Sequence, residues 1–314
     1  MPEDHVLALG DLRLELGGTL AGASLAYRTH GTLSEGRDNA VLFPHMYSGT
    51  QASLDPWIGP GRALDSHRWF VVCPGQLGNG SSTSPSTTHN PFPDLTIGDD
   101  VAAQHRLVTE ELGIETVALA LGFSMGAQQA YEWAVRFPRM VERLAVFAGL
   151  ARTTSGNGLL VIASEDALRT GGTGQHARFW AATGLSAELY RREAWRDAGY
   201  DSVDDMVRRL FEDDYASRDP ADLLCQLGKW RRADVSRQTG AGLPEALGRI
   251  TARTVVAPFS HDAWFPVADC EAEQRLIGGS RLQVVESVWG HYGWGIGPSE
   301  TAQIERVVAD LLAT

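Results

Sequence analysis

Ser124 lies midway between two glycines in Gly122-Phe123-Ser124-Met125-Gly126, a spacing that suits a nucleophilic hydroxyl raised on a sharp turn. The apolar run Val117-Ala118-Leu119-Ala120-Leu121 before it reads as a buried strand, and residues 128–137 after it read as a helix. A serine on such a strand-to-helix turn occupies strained backbone, and residues two positions away on either side must be nearly free of side chain. Gly122 and Gly126 satisfy that requirement. The helix that follows would aim its first amides and its positive dipole end at an oxyanion, so the pattern points to acyl transfer through serine.

Such a serine needs a base and an acid, and with this elbow the chain order runs serine, acid, histidine. The strand run Thr254-Val255-Val256-Ala257-Pro258-Phe259-Ser260 ends in His261-Asp262, and Asp262 is taken as the acid. Asp269 competes, but it falls within an expected helix over 267–277, and a carboxylate directly after a strand is better placed to meet an imidazole. The run 281–287, read as the next strand, leads into Trp289-Gly290-His291, and His291 is taken as the base. His261 competes for that role. Neighbouring side chains on extended backbone point apart, which makes it a poor partner for Asp262.

An oxyanion hole takes two amides. Met125, next to the serine, supplies one. The loop Pro44-His45-Met46-Tyr47-Ser48-Gly49-Thr50, after a strand at 39–43, is expected to supply the other from the Tyr47 backbone N–H. His45 precedes the serine and has no strand-end acid nearby, so it reads as a support for that loop. Tyr292 and Trp264, flanking the base and following the acid, are expected to meet substrate, as is the Tyr47 ring.

These residues need a scaffold. Two antiparallel-type strands are expected at 12–16 and 24–29, then strands at 40–43, 69–73 and 144–147, with helices over 97–112 and 300–312. The alternation of strand and helix after residue 97 predicts an α/β fold with a mostly parallel central sheet flanked by helices. The glycine-, serine- and proline-rich stretch 74–96 reads as a surface excursion beside a site. Its Asn79-Gly80-Ser81 sequon is read as chance. Residues 153–247 carry little β signal and many capped amphipathic segments, which predicts a helical lid inserted between core segments 1–152 and 248–314. Phe179, Trp180, Tyr190, Trp195, Tyr215 and Trp230 are expected chiefly to anchor the lid helices, with part of the set roofing the site.

Several motifs in one order resemble the homoserine O-acetyltransferase family of α/β-hydrolase-fold proteins. They include Tyr27-Arg28-Thr29-His30-Gly31-Thr32-Leu33, the run Leu77-Gly78-Asn79-Gly80-Ser81-Ser82-Thr83-Ser84-Pro85-Ser86, and Ser124-Met125-Gly126-Ala127-Gln128-Gln129, together with the acid and histidine segments. The resemblance implies the α/β-hydrolase fold, with Ser124 as nucleophile, Asp262 as orienting acid and His291 as base. Homoserine transferases typically place an aspartate directly after the histidine, where it holds the substrate ammonium, and read Gly-Gly after the elbow methionine. Here Tyr292 and Ala127 occupy the departing positions. A site without that carboxylate leaves a buried ammonium unpaired. The Gly-Ala-Gln-Gln and Trp-Gly-His forms resemble the family's esterase-like branch, which implies hydrolysis of short-chain, acetyl-type esters. The alternatives are an O-acyltransferase using acetyl-CoA as co-substrate on a small alcohol, and a hydrolase-fold binding protein without chemistry.

Composition narrows the partners. A net charge of −12, from 27 basic and 39 acidic side chains, repels a phosphate backbone and argues against nucleic acid. No apolar run is long enough to span a bilayer and the N-terminus lacks a signal-peptide pattern, so a cytoplasmic protein acting on a small ester or alcohol is expected, with room for a homodimer. Cys73, Cys225 and Cys270 show no metal or disulfide spacing and read as core or incidental thiols. Lys229 is the only lysine. In its polar helical context it reads as solvent-facing, so neither a pyridoxal cofactor nor a metal is assigned.

Overall fold

The structure is a computed structural model, and it describes residues 2–88 and 91–313. Eight strands form one sheet in the order β1-β2-β4-β3-β5-β6-β7-β8. β1 (Glu3–Arg13) and β2 (Thr19–His30) make an antiparallel hairpin, and β2 pairs antiparallel with β4 (Phe70–Pro74). β3 (Ala40–Leu42), β5 (Leu119–Phe123), β6 (Arg143–Phe147), β7 (Arg253–Ala257) and β8 (Arg281–Leu282) continue the sheet in parallel.

Parallel strands covered on both faces must be apolar on both sides, and β3, β4 and β5 are buried at every position. The period of two sends alternate residues into two cores. Val41, Leu121 and Val255 enter one, where Ile304, Val307 and Leu311 of α10 (Pro298–Leu312) cover them. Leu42, Ala120, Val146 and Val256 enter the other, shared with Val101 of α1 (Ile97–Arg106) and Ala130 and Trp133 of α2 (Met125–Arg136).

Several expected elements differ at their ends; the second strand, expected at 24–29, starts already at Thr19. The first strand is Glu3–Arg13 rather than 12–16, because Leu14 begins a tight turn: the Gly17 N–H donates to the Leu14 carbonyl, and Gly17 and Gly18 have positive φ. The run read as helix to residue 112 leaves α geometry after Arg106 and closes in a π-turn, Leu107–Glu111, where the Leu112 N–H reaches the Leu107 carbonyl. The strand read as 281–287 is regular only at Arg281–Leu282. Beyond it, one isolated bridge joins Phe259 to Val285, as at a sheet edge with a single neighbour.

Between β6 and β7 every regular element is a helix: α3 (Ser155–Gly184, broken at Gly172), α4 (Ala187–Arg191), α5 (Val203–Val207), α6 (Asp213–Ala216), α7 (Pro220–Arg231) and α8 (Leu243–Leu247). The acid-bearing loop then leads to α9 (Val267–Gln274), which carries Asp269 as expected. Of the aromatics between β6 and β7, Trp180 packs on Trp230, while Trp230 and Phe179 also pack on Trp264 of the acid-bearing loop, and the Tyr190 hydroxyl donates to the Ala181 carbonyl.

The stretch 74–96 is a surface excursion only in part: Gly80, Ser81, Ser86, Thr87, Pro91 and Asp94 are exposed, while other residues turn inward. Gln76, Leu77 and Ser84 are fully buried, because side chains satisfy the loop backbone from inside. Lys229 likewise contradicts the solvent-facing reading. It is fully buried on α7, where its ammonium meets Asp100 and two groups of that same loop. All three cysteines are free, two of them buried. Among the described residues no helix is long and apolar enough to cross a membrane, and no group of three or more metal-ligating side chains converges.

Candidate active site

Ser124 stands directly after β5 with φ 55° and ψ −122°, a strained conformation for a residue with a side chain. The two flanking glycines make the turn sterically feasible. A Cβ on Gly122 would lie 2.2 Å from the Gly126 carbonyl carbon, and one on Gly126 would lie 2.3 Å from the Pro44 carbonyl oxygen. The second contact means that the start of α2 packs against the backbone of the loop after β3. The loop that carries Tyr47 is thereby brought beside the start of α2. Met125 is the first residue of α2, so its amide has no acceptor within the helix.

Asp262 and His291 arrive from the loops after β7 and β8, at the same carboxyl edge of the sheet. The Ser260 hydroxyl donates to the Ser287 carbonyl (3.2 Å) and accepts from the Ser287 amide (3.1 Å), tying the two loops together. His291 Nδ1 is 2.8 Å from Asp262 Oδ2, and His291 Nε2 is 2.9 Å from Ser124 Oγ. The other carboxylate oxygen of Asp262 accepts the Trp264 and Phe265 amides, at 2.7 and 3.1 Å. With Asp262 ionised, Nδ1 carries the proton and Nε2 is free to accept the serine O–H. All three side chains are buried. His261, the competing histidine, is exposed, and Asp269 lies on α9 away from the imidazole hydrogen bonds.

A cavity of about 290 Å³ opens on Ser124 and His291. Its walls include Tyr47, Trp180, Tyr215 and Tyr292, while Asp214 and Arg218 at its edge pair with each other at 3.0 Å. Burial pushes the Tyr47, Tyr215 and Tyr292 hydroxyls up, so all three stay neutral. Trp180 and Tyr215 are therefore the lid aromatics that reach the site. Trp264, expected to meet substrate, does not line the cavity: it is fully buried and stacks flat on Trp180 at 4.1 Å between centroids, backing the wall.

His45 supports its loop, as expected. Its Nδ1 lies 2.9 Å from the Met46 carbonyl and its Nε2 3.1 Å from the Asn79 amide nitrogen, which assigns the proton to Nδ1. Gln76, Asn79 and Gln129 complete that support, a role the sequence reading gave to none of them, although Asn79 and Gln129 stand in its motifs. The available signal was a pair of glutamines facing inward on a helix that is otherwise buried. His176 was also missed. Its Nδ1 faces the Ser164 carbonyl (3.1 Å), and its Nε2 accepts the Tyr47 hydroxyl (3.0 Å).

Burial lowers the His176 pKa to about 4 against an ordinary 6.5, which fixes the sign of its effect on stability. The fold holds the neutral ring, so this contribution is complete above pH 6.5 and is lost as pH falls towards 4, where only the unfolded chain takes the proton. Buried Glu273 and Glu132, whose pKa values burial raises to about 7, act in the opposite direction, so the comparison must be differential. The stability advantage of the parent over His176→Gln should shrink by about 2 kcal/mol between pH 7 and pH 5 in urea unfolding. A constant difference would show that the ring is not held neutral.

Residues 39–169 match the alpha/beta hydrolase fold family. A probable esterase of Corynebacterium glutamicum is 40% identical, covering 97% of this chain and 94% of that protein. The chain belongs to the α/β-hydrolase family. Within it, an ethyl acetate hydrolase of Pseudomonas veronii is 39% identical over 99% of this chain and 95% of its own length. The solved acetyl esterase MekB superposes with a TM-score of 0.97 at 38% identity, covering 99% of this chain and 97% of that one. Homoserine O-acetyltransferases match this α/β-hydrolase at lower identity, so it sits with the esterase-like branch.

Proposed function

We propose that this α/β-hydrolase is a serine esterase that cleaves short-chain, acetyl-type carboxylic esters through an acyl-enzyme on Ser124. The observation that carries the reading is the continuous hydrogen-bonded line from Asp262 through His291 to Ser124, opening on a small, largely apolar cavity. His291 takes the serine proton as Oγ attacks the ester carbonyl carbon, and the tetrahedral oxyanion sits between the Met125 and Tyr47 amides. Asp262 orients the imidazole and stabilises its cationic form. The imidazolium then protonates the leaving alkoxide. Water, deprotonated by the same imidazole, next attacks the acyl carbonyl, and collapse of the second tetrahedral adduct releases the acid and restores Ser124.

The cavity supports small, neutral substrates. At about 290 Å³ it lies at the lower end of the range for small-molecule sites. Tyr292 stands where a homoserine transferase places its aspartate, and the one carboxylate at the cavity edge, Asp214, already pairs with Arg218. A substrate ammonium would meet no free anion among these groups, which disfavours an amino-acid alcohol as acceptor. The names of the most similar relatives agree with an ester hydrolase.

The test is a chromogenic acetate ester, assayed with and without acetyl-CoA and small alcohols. Rapid hydrolysis that needs neither addition is expected. Release of coenzyme A only when an alcohol is supplied would instead establish the transferase reading, with acetyl-CoA as co-substrate.

A further inference from the structure

The fully buried lysine of α7 is not part of the proton relay, yet it lies directly behind the loop that carries Tyr47. Its Nζ donates to Asp100 Oδ2 (2.7 Å), to the Leu77 carbonyl (2.6 Å) and to Gln76 Oε1 (3.4 Å), which uses all three ammonium protons. Asp100 is also fully buried, and its second oxygen accepts the Leu77 amide at 2.8 Å. Gln76, held by its oxygen, donates from Nε2 to the His45 carbonyl at 2.7 Å. From the opposite side Gln129 donates to the same His45 carbonyl (3.3 Å) and to the Met125 carbonyl (3.2 Å). One connected network therefore runs from the helices between β6 and β7, through the loop after β4, to Met125 and to His45, two residues before Tyr47.

We propose that Lys229 is a positioning residue for the oxyanion hole: paired with Asp100, it fixes Gln76, and Gln76 fixes the backbone that presents the Tyr47 amide. The proposal rests on the esterase reading above. A buried ion pair is weak support for stability by itself, because desolvation offsets most of its attraction. Its use here is geometric. In a sequence whose other cationic side chains are all arginine, the one lysine stands where three acceptors converge on a point, which a compact ammonium satisfies and a planar guanidinium fork does not.

Two variants test this. Lys229→Met/Asp100→Asn removes both charges together, so neither is left buried alone, and Gln76→Met cuts the link to His45 while leaving the ion pair intact. Each is expected to lower kcat by about tenfold to a hundredfold with KM within about twofold, as for a displaced transition-state donor. Affinity for a small alkyl boronic acid, whose tetrahedral adduct on serine fills the oxyanion site, should fall with kcat. The proposal is overturned if folded Gln76→Met keeps kcat within about threefold of the parent, or if its loss appears in KM alone. Should the double variant fail to fold, Gln76→Met decides alone. Ser124→Ala, run in parallel, separates the two levels: turnover retained there sinks the esterase reading, whereas its loss beside a fully active Gln76→Met sinks only the positioning role.

Discussion

Replacing Ser124 by alanine should lower ester turnover by about 10⁶-fold, towards the residual rate that binding and oxyanion donors supply without a nucleophile. The fold should not change. Ser124 holds its strained turn through backbone contacts, with its N–H donating to the Phe147 carbonyl and its carbonyl accepting from Gln128, and alanine keeps both. The hydroxyl's one side-chain partner is His291 Nε2. Thermal unfolding of the variant should match the parent closely, while a steady-state assay with a chromogenic acetate reads the loss. Activity within about tenfold of the parent would mean that the reaction runs through another group.

Asp262→Asn should cost about 10⁴-fold in kcat, although its shape is nearly unchanged, because an amide nitrogen facing the imidazole inverts the hydrogen bond that selects the tautomer. Asp262 has two structural partners to consider. Its Oδ1 accepts the Trp264 and Phe265 amides, an arrangement that asparagine can retain with its own oxygen, while Oδ2 alone meets His291. The variant should therefore fold and bind substrate with little change in KM. A useful control is His261→Ala, one residue away. That side chain is exposed and makes none of the relay bonds, so its removal should leave kcat close to the parent. Equal losses from the two substitutions would point to general damage of the loop after β7 and would remove the case for Asp262 as the orienting acid.

The features legible in the sequence were those with local causes. A serine flanked by glycines at two-residue spacing is forced by steric closure within five residues, and the buried strand and helix around it follow from apolar periodicity. The choice of Asp262 and His291 needed only strand ends and chain order, and the structure brings both to the serine. Features that depend on contacts distant in sequence were not legible. Lys229 looked solvent-facing because its own helix is polar, and only Asp100, Gln76 and Leu77, more than a hundred residues away, make its burial tolerable. Trp264 follows the acid, which suggested contact with substrate, but its environment is set by Trp180 of the inserted helices, whose ring occupies the position nearer the cavity. The loop 74–96 has the composition of an exposed segment throughout, yet its Gln76-Leu77 portion is buried, where Asp100 accepts the Leu77 amide and Lys229 donates to the Leu77 carbonyl. Edges were misread for a related reason: the last strand loses regular pairing where it has one neighbour, which no periodicity in its own sequence reports.

The proposed reaction is covalent, with the acyl group passing through Ser124 Oγ. Rapid quenching of the parent after mixing with excess p-nitrophenyl acetate, followed by intact and peptide mass spectrometry, measures this directly. A single acetyl group is expected, located on the peptide that contains Ser124 and absent from Ser124→Ala. Acetate release with no acetylated enzyme, or an acetyl group that accumulates and turns over on a different residue, would contradict it.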